Sequence, residues 1–122
     1  MDWYNTLVMR LVGFQWDKGN STKNTEKHGV TADECEQIFF NQPLAIFKDR
    51  THSQGEERYR ALGITNSGRR LFIVFTIREN LIRVISARGQ DKQERKEYEM
   101  SQAVLALNKQ RQQKGDYARK ES

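Results

Sequence analysis

The sequence predicts a single α+β domain with two N-terminal helices, a four-stranded, mainly antiparallel sheet and a C-terminal helix. Three observations carry this. Apolar runs at Leu71 to Ile77 and Leu81 to Ala87 are separated by Glu79-Asn80, and Asn66-Ser67-Gly68 precedes the first of them, so the economical joints are antiparallel hairpins. Thr31-Ala32-Asp33-Glu34 has the form of a capping box that opens a helix. After Gly89 the chain turns polar and rich in helix formers. With 122 residues, one core is expected, burying about two-thirds of the unfolded surface.

Taken in order, Leu11, Val12 and Phe14 read as a short first strand, closed by Asp17, whose carboxylate is suited to capping a following helix. Lys18 to Lys27 is almost entirely polar, so a helix there depends on Trp16 and its neighbours for packing. His28-Gly29 supplies a basic last turn and a terminating glycine. The second helix runs from Thr31 to about Phe40, with Cys35, Ile38 and Phe39 on one face, and Pro43 forbids its continuation. A strand at Leu44 to Lys48 and a loop at Asp49 to Gly55 follow. The meander then comprises Glu57 to Ile64, Arg69 to Ile77 and Leu81 to Arg88. Asp91 to Gln113 is expected as one helix with Tyr98, Val104, Leu105 and Leu107 as its sparse apolar positions, before a tail at Asp116 to Ser122.

Charge is concentrated in the meander. Glu56 to Gly89 holds seven arginines, three acids and no lysine, a net +4 of the chain's +5. Arginine grips phosphate oxygens with a planar fork and stays charged at any working pH, so an anionic partner is implied. Alternation along strands puts Arg58 with Arg60, Phe72 with Val74, Thr76 and Arg78, and Leu81 with Arg83, Ile85 and Ala87. Arg88 has the opposite parity from Arg83, so a bulge or a strand end is needed to bring the two together.

Other classes are disfavoured. A lone cysteine forms no internal disulfide, and no Cys/His spacing suggests zinc, which fits a reducing cytosol. Cys35 reads as packing, because no local pattern supplies the base a nucleophile needs. No glycine-rich phosphate loop or repeat occurs, and no cofactor is expected. No apolar stretch approaches the roughly 20 residues that span a bilayer, and Met1 to Phe14 lacks a signal-peptide pattern. A cytoplasmic protein without membrane contact is the expectation.

Six short motifs stand in order along the chain: Phe14-Gln15-Trp16-Asp17, Lys27-His28-Gly29-Val30, Phe39-Phe40, Gly55-Glu56-Glu57-Arg58, Val84-Ile85-Ser86-Ala87-Arg88 and Glu94-Arg95-Lys96-Glu97-Tyr98. In this order and spacing the chain resembles the BrnT family of bacterial type II toxins, over about Leu11 to Glu99. The resemblance implies a RelE-like fold and a ribonuclease activity that arrests growth. It also implies a BrnA-like antitoxin with a ribbon-helix-helix DNA-binding region, the pair together repressing their operon through operator DNA. Residues 1–99 then form the toxin domain, with Met9 as a natural start and Met1 to Val8 as an extension. Residues 100–122 lie beyond the family pattern as a helical extension and tail.

RNA cleavage without metal requires removal of the 2′-hydroxyl proton, stabilisation of negative charge at phosphate and protonation of the leaving 5′-oxygen. By resemblance the catalytic cluster is Arg58, Arg78, Arg83 and Arg88, with His28 as proton carrier and Glu57 as second candidate. Lys27, Arg60, Arg69 and Arg70 are the accompanying RNA-binding candidates. Each has a plainer rival: His28 as a helix-end cation, Glu57 and Arg58 as solvated strand charges, Arg69-Arg70 as edge charges beside a turn. Arg83, between aliphatic neighbours, is costly to bury for packing alone. Trp16 and Phe39-Phe40 are read as core or antitoxin-facing. The alternative class is a non-catalytic module that grips RNA or a partner's acidic segment, or a corepressor that only tightens its partner on DNA.

Overall fold

The computed structural model describes residues 13–49 and 55–121. Leu11 and Val12, the extension at 1–8 and most of the loop after Asp49 lie outside the described residues, as do the side chains of Val104 and Leu105. The elements are β1 (Gly13–Phe14), α1 (Lys23–His28), α2 (Ala32–Phe40), β2 (Ala45–Asp49), β3 (Arg58–Ile64), β4 (Arg70–Arg78), β5 (Leu81–Gly89) and α3 (Lys92–Glu121). The α+β class stands, but the described sheet has five strands rather than four, in the order β1-β5-β4-β3-β2. The additional strand is β1: two residues, Gly13 and Phe14, pair in parallel with Leu81 and Ile82, beside an otherwise antiparallel meander.

Local chemistry explains the joints. Glu79 and Asn80 both take positive φ (53° and 64°), the geometry a two-residue turn needs to match strand twist. Gly29 closes α1 in the left-handed region. Thr31 Oγ1 accepts from the Glu34 amide while Glu34 accepts from the Thr31 amide, completing the capping box of α2. Asp91 and Glu94 repeat this reciprocity at the start of α3. Asp17 departs from its expected role. Its Oδ1 accepts from Gly19 N in a tight turn and its carboxylate pairs with Arg83, while α1 starts at Lys23 with Thr22 at its N-cap.

α2 packs Cys35, Ile38 and Phe39 onto Tyr59, Ala61, Leu71, Ile73, Phe75, Val84 and Ala87, which makes one core on one side of the sheet. Phe39 meets Phe75 edge-on at 5.2 Å. Gly63 lets α2 approach β3 closely: a Cβ there would lie 2.8 Å from Ile38 Cβ. The β5 edge beyond β1 is sealed by side chains. Asn20 Nδ2 donates to Val84 O, and Ala87 N donates to Asn24 Oδ1. α3 begins over the opposite side, where Leu62 and Tyr98 are buried outside the main core, and Tyr98 Oη donates to Pro43 O at 2.7 Å.

Candidate functional site

The side of the sheet away from α2 carries the arginines. Strand register sets them in rows: Asp49, Arg58, Thr76, Arg83; then Phe47, Arg60, Val74, Ser86; then Ala45, Leu62, Phe72, Arg88. One irregularity in β5 makes this possible. Val84 pairs with Phe75 and Ser86 with Val74, which leaves Ile85 unpaired as a bulge. Core parity therefore switches from Ile82 and Val84 to Ala87, and Ala87 leaves the face that plain alternation gives it. Arg88 joins Arg83. Arg70 and Arg78 share that face by alternation along β4.

Arg58, Arg78 and Arg83 cluster at the Asp49 end. Glu56 binds Arg78 in two places, at 2.7 and 3.1 Å. Its carboxyl is held below the ordinary range by that hydrogen bond first, with added attraction from Arg58 and Arg83. Arg83 is gripped by Asp17, Nη1 to Oδ2 at 2.7 Å and Nη2 to Oδ1 at 3.1 Å, while Gln15 Oε1 lies 3.4 Å from Nη1. Arg83 holds the Asp17 carboxyl low, and the Gly19 amide adds to this. The grip uses one end of the fork. Among the described residues, Nε–H and one Nη2–H of Arg83 stay uncommitted.

At the other end the arginines are tied to α3. Arg88 makes a two-pronged contact with Glu94 at 2.8 and 3.0 Å and lies over the Phe72 ring at 4.3 Å. Arg70 pairs with Glu99 at 3.0 Å and lies over Tyr98 at 5.9 Å. Arg60 differs from both: its guanidinium lies 5.7 Å from the Phe47 ring centroid, and its Nε is buried with no acceptor among the described residues.

Four of the expected residues, Lys27, His28, Glu57 and Arg69, are not brought to this face. Arg69 donates to His28 O at 3.1 Å and Gly29 O at 2.7 Å and pairs with Glu34, tying α1 to α2 on the helical side. Lys27 and His28 therefore sit with Arg69, about seven residues of strand, roughly 23 Å, from the Arg58 row. The expectation that they lie near the arginine cluster is corrected, because α1 runs along the β5 edge and Gly29 turns the chain toward the helical layer. Glu57 precedes β3 with the parity of Tyr59 and is held ionised by Lys48 first, at 2.7 Å, and then by the Tyr59 hydroxyl at 3.1 Å. Its neighbour Glu56 instead stands among the arginines, as Asp17 does.

Sequence reading missed Asp17 and Glu56 as parts of the cluster, and missed Phe47. The signal for the carboxylates was present as two acids beside motif tryptophan and arginine. Only the register shows which arginine each meets. Among the described residues no three His, Cys, Asp or Glu side chains converge as metal ligands.

Compared with known families, residues 16–94 match the model of the ribonuclease toxin BrnT of type II toxin-antitoxin systems, a span running from the Trp16-Asp17 motif through all seven arginines of the meander to Glu94. The chain belongs to the BrnT family. Among curated proteins, none matches it. BrnT membership brings an RNA substrate and an antitoxin partner. The match ends in the first turn of α3, so most of that helix lies beyond the matched span. No helix of the described residues is long and apolar enough to cross a membrane.

Proposed function

We propose that the chain is a metal-independent endoribonuclease toxin that cleaves RNA laid across the arginine face. It acts in the cytoplasm, arrests growth, and is neutralised by a ribbon-helix-helix antitoxin with which it represses its own operon. The observation that supports the site is the bulge at Ile85, which brings Arg83 and Arg88 together onto the side of the sheet that already carries Arg58, Arg60 and Arg78. In the reaction the ribose 2′-oxygen bonds to phosphorus and the bond to the 5′-oxygen breaks. The 2′-hydroxyl proton passes to a base, and the leaving oxygen takes up a proton. The products carry a 2′,3′-cyclic phosphate and a 5′-hydroxyl.

Arg83, oriented by Asp17, offers its uncommitted Nε–H and Nη2–H to the non-bridging oxygens, and Arg58 and Arg78 add charge from the same end. Preorganised donors of this kind need little rearrangement as charge develops. Glu56 is our proton acceptor in place of Glu57 and His28, because it stands inside the cluster. Its low basicity makes it a weak base, so most of the rate is assigned to the arginines.

A second reading, a non-catalytic RNA- or partner-binding module or a corepressor, draws on one observation: no histidine stands on the arginine face among the described residues. Incubating purified protein with purified RNA, with and without chelator, separates the readings. Cleavage that survives chelation supports the metal-independent nuclease. RNA left intact, with no growth arrest on expression without antitoxin, sinks it in favour of the module.

A further inference from the structure

We propose that Phe47 and Arg60 form a nucleobase subsite, holding an unpaired base of the RNA two or three nucleotides along from the phosphate at Arg83. This deepens, and rests on, the ribonuclease reading above. Phe47 lies on the edge strand β2, directly opposite Arg60 in the register, and is 38% exposed on the face that carries the arginines. α3 anchors at the far end of that face, near Leu62, Phe72 and Arg88.

Arg60 is set apart by its partner. Arg70, Arg78, Arg83 and Arg88 each meet a carboxylate, whereas Arg60 lies on the Phe47 ring with Nε unpartnered and buried. That burial puts Nε itself out of a ligand's reach, so the donors Arg60 offers are its terminal Nη groups. A planar guanidinium over an aromatic ring presents a stacking platform with hydrogen-bond donors at its rim. Nucleobases carry matching flat faces and edge acceptors.

Spacing sets which nucleotide is held. Phe47 is three strands from Arg83, about 14 Å across the sheet, and one row, about 7 Å, along it. That is too far for the base of the nucleotide bound at Arg83. It suits an RNA strand that crosses the sheet from Arg83 past Arg58, its backbone over the cationic row and a later base on Phe47.

Binding of a fluorescent, non-cleavable 2′-O-methyl RNA 12-mer, with and without abasic positions, tests the subsite independently of cleavage. Phe47→Ala should weaken binding about five- to hundred-fold, the range that one stacked base supplies. Phe47→Leu, which keeps apolar bulk but no ring, should lose as much, whereas Phe47→Trp should bind as wild type. One abasic position should weaken wild type equally and leave Phe47→Ala unaffected. Equal binding by wild type, Phe47→Ala and Phe47→Leu would overturn the subsite even if the protein cleaves RNA, as would no binding at all. A ring-dependent loss in a protein that never cleaves RNA keeps the subsite and removes the catalytic reading.

Discussion

Arg83 and Arg88 lie on the same face of the sheet although they stand five positions apart on one strand, because Ile85 is bulged out between their two registers. Regular alternation would send one of them into the core beside Ala87 or Val84, where an unpaired guanidinium is prohibitively costly. The bulge thus allows a continuous apolar layer on one side of β5 and a continuous cationic one on the other.

The carboxylates that orient this face fix its acid response. Asp17 and Glu56 are held below their ordinary values by Arg83 and Arg78, so their folded values lie under their unfolded ones. Such groups contribute stability at pH above the unfolded value and lose it as pH falls through the folded one. Both pairs should therefore persist at neutral pH and fail only below the ordinary carboxylate range. In thermal melts across pH, Asp17→Asn with Glu56→Gln should flatten the acid-side fall in Tm; an unchanged slope would show that the pairs do not carry it.

A different kind of arginine is found at Arg69, whose donors end on the carbonyls of His28 and Gly29 and on Glu34. Arg69→Met should cost about 1 to 3 kcal/mol in urea denaturation, since it strips charged donors from two carbonyls. Cleavage by the folded fraction of this variant, and by His28→Ala, should stay close to wild type. Loss of cleavage with unchanged stability in either variant would return His28 and Arg69 to the active site.

Much of this architecture is legible in the sequence, and the residues show why. The capping box at Thr31 and Glu34, the turn at Glu79-Asn80 and the Cys35, Ile38, Phe39 face are local patterns that the fold keeps. The parallel pairing of Gly13-Phe14 with Leu81-Ile82 is not local, and two residues carry no periodicity. Arg83 was readable as exceptional because aliphatic residues flank it, but its partner Asp17 lies 66 positions away. The placement of His28 failed for the same reason. Helix-end chemistry described its immediate surroundings correctly, and only packing on β5 shows which side of the sheet it joins.

The close approach at Gly63 gives a stability expectation independent of function. Gly63→Ala drives a methyl to within 2.8 Å of Ile38 Cβ and should destabilise by about 1 to 3 kcal/mol. A chemical denaturation midpoint equal to wild type would mean that α2 shifts freely on β3.

Cys35 should behave as a reporter of unfolding. Burial first, then the nearby Glu34 and Glu36 charges, push its thiol up to about 12, so almost none is thiolate at neutral pH. Alkylation should be negligible in native protein and should appear along the unfolding transition. Rapid labelling of the native chain would contradict the packing around α2.

The most direct test of the arginine face is the initial rate of RNA cleavage by Arg83→Ala against wild type, with folding matched by circular dichroism and the product ends identified. The account expects 2′,3′-cyclic phosphate ends from wild type and a rate about a hundred-fold or more lower in the variant, the usual loss when one preorganised donor is removed. A folded Arg83→Ala protein that cleaves RNA within a few-fold of the wild-type rate would place the chemistry elsewhere on the molecule.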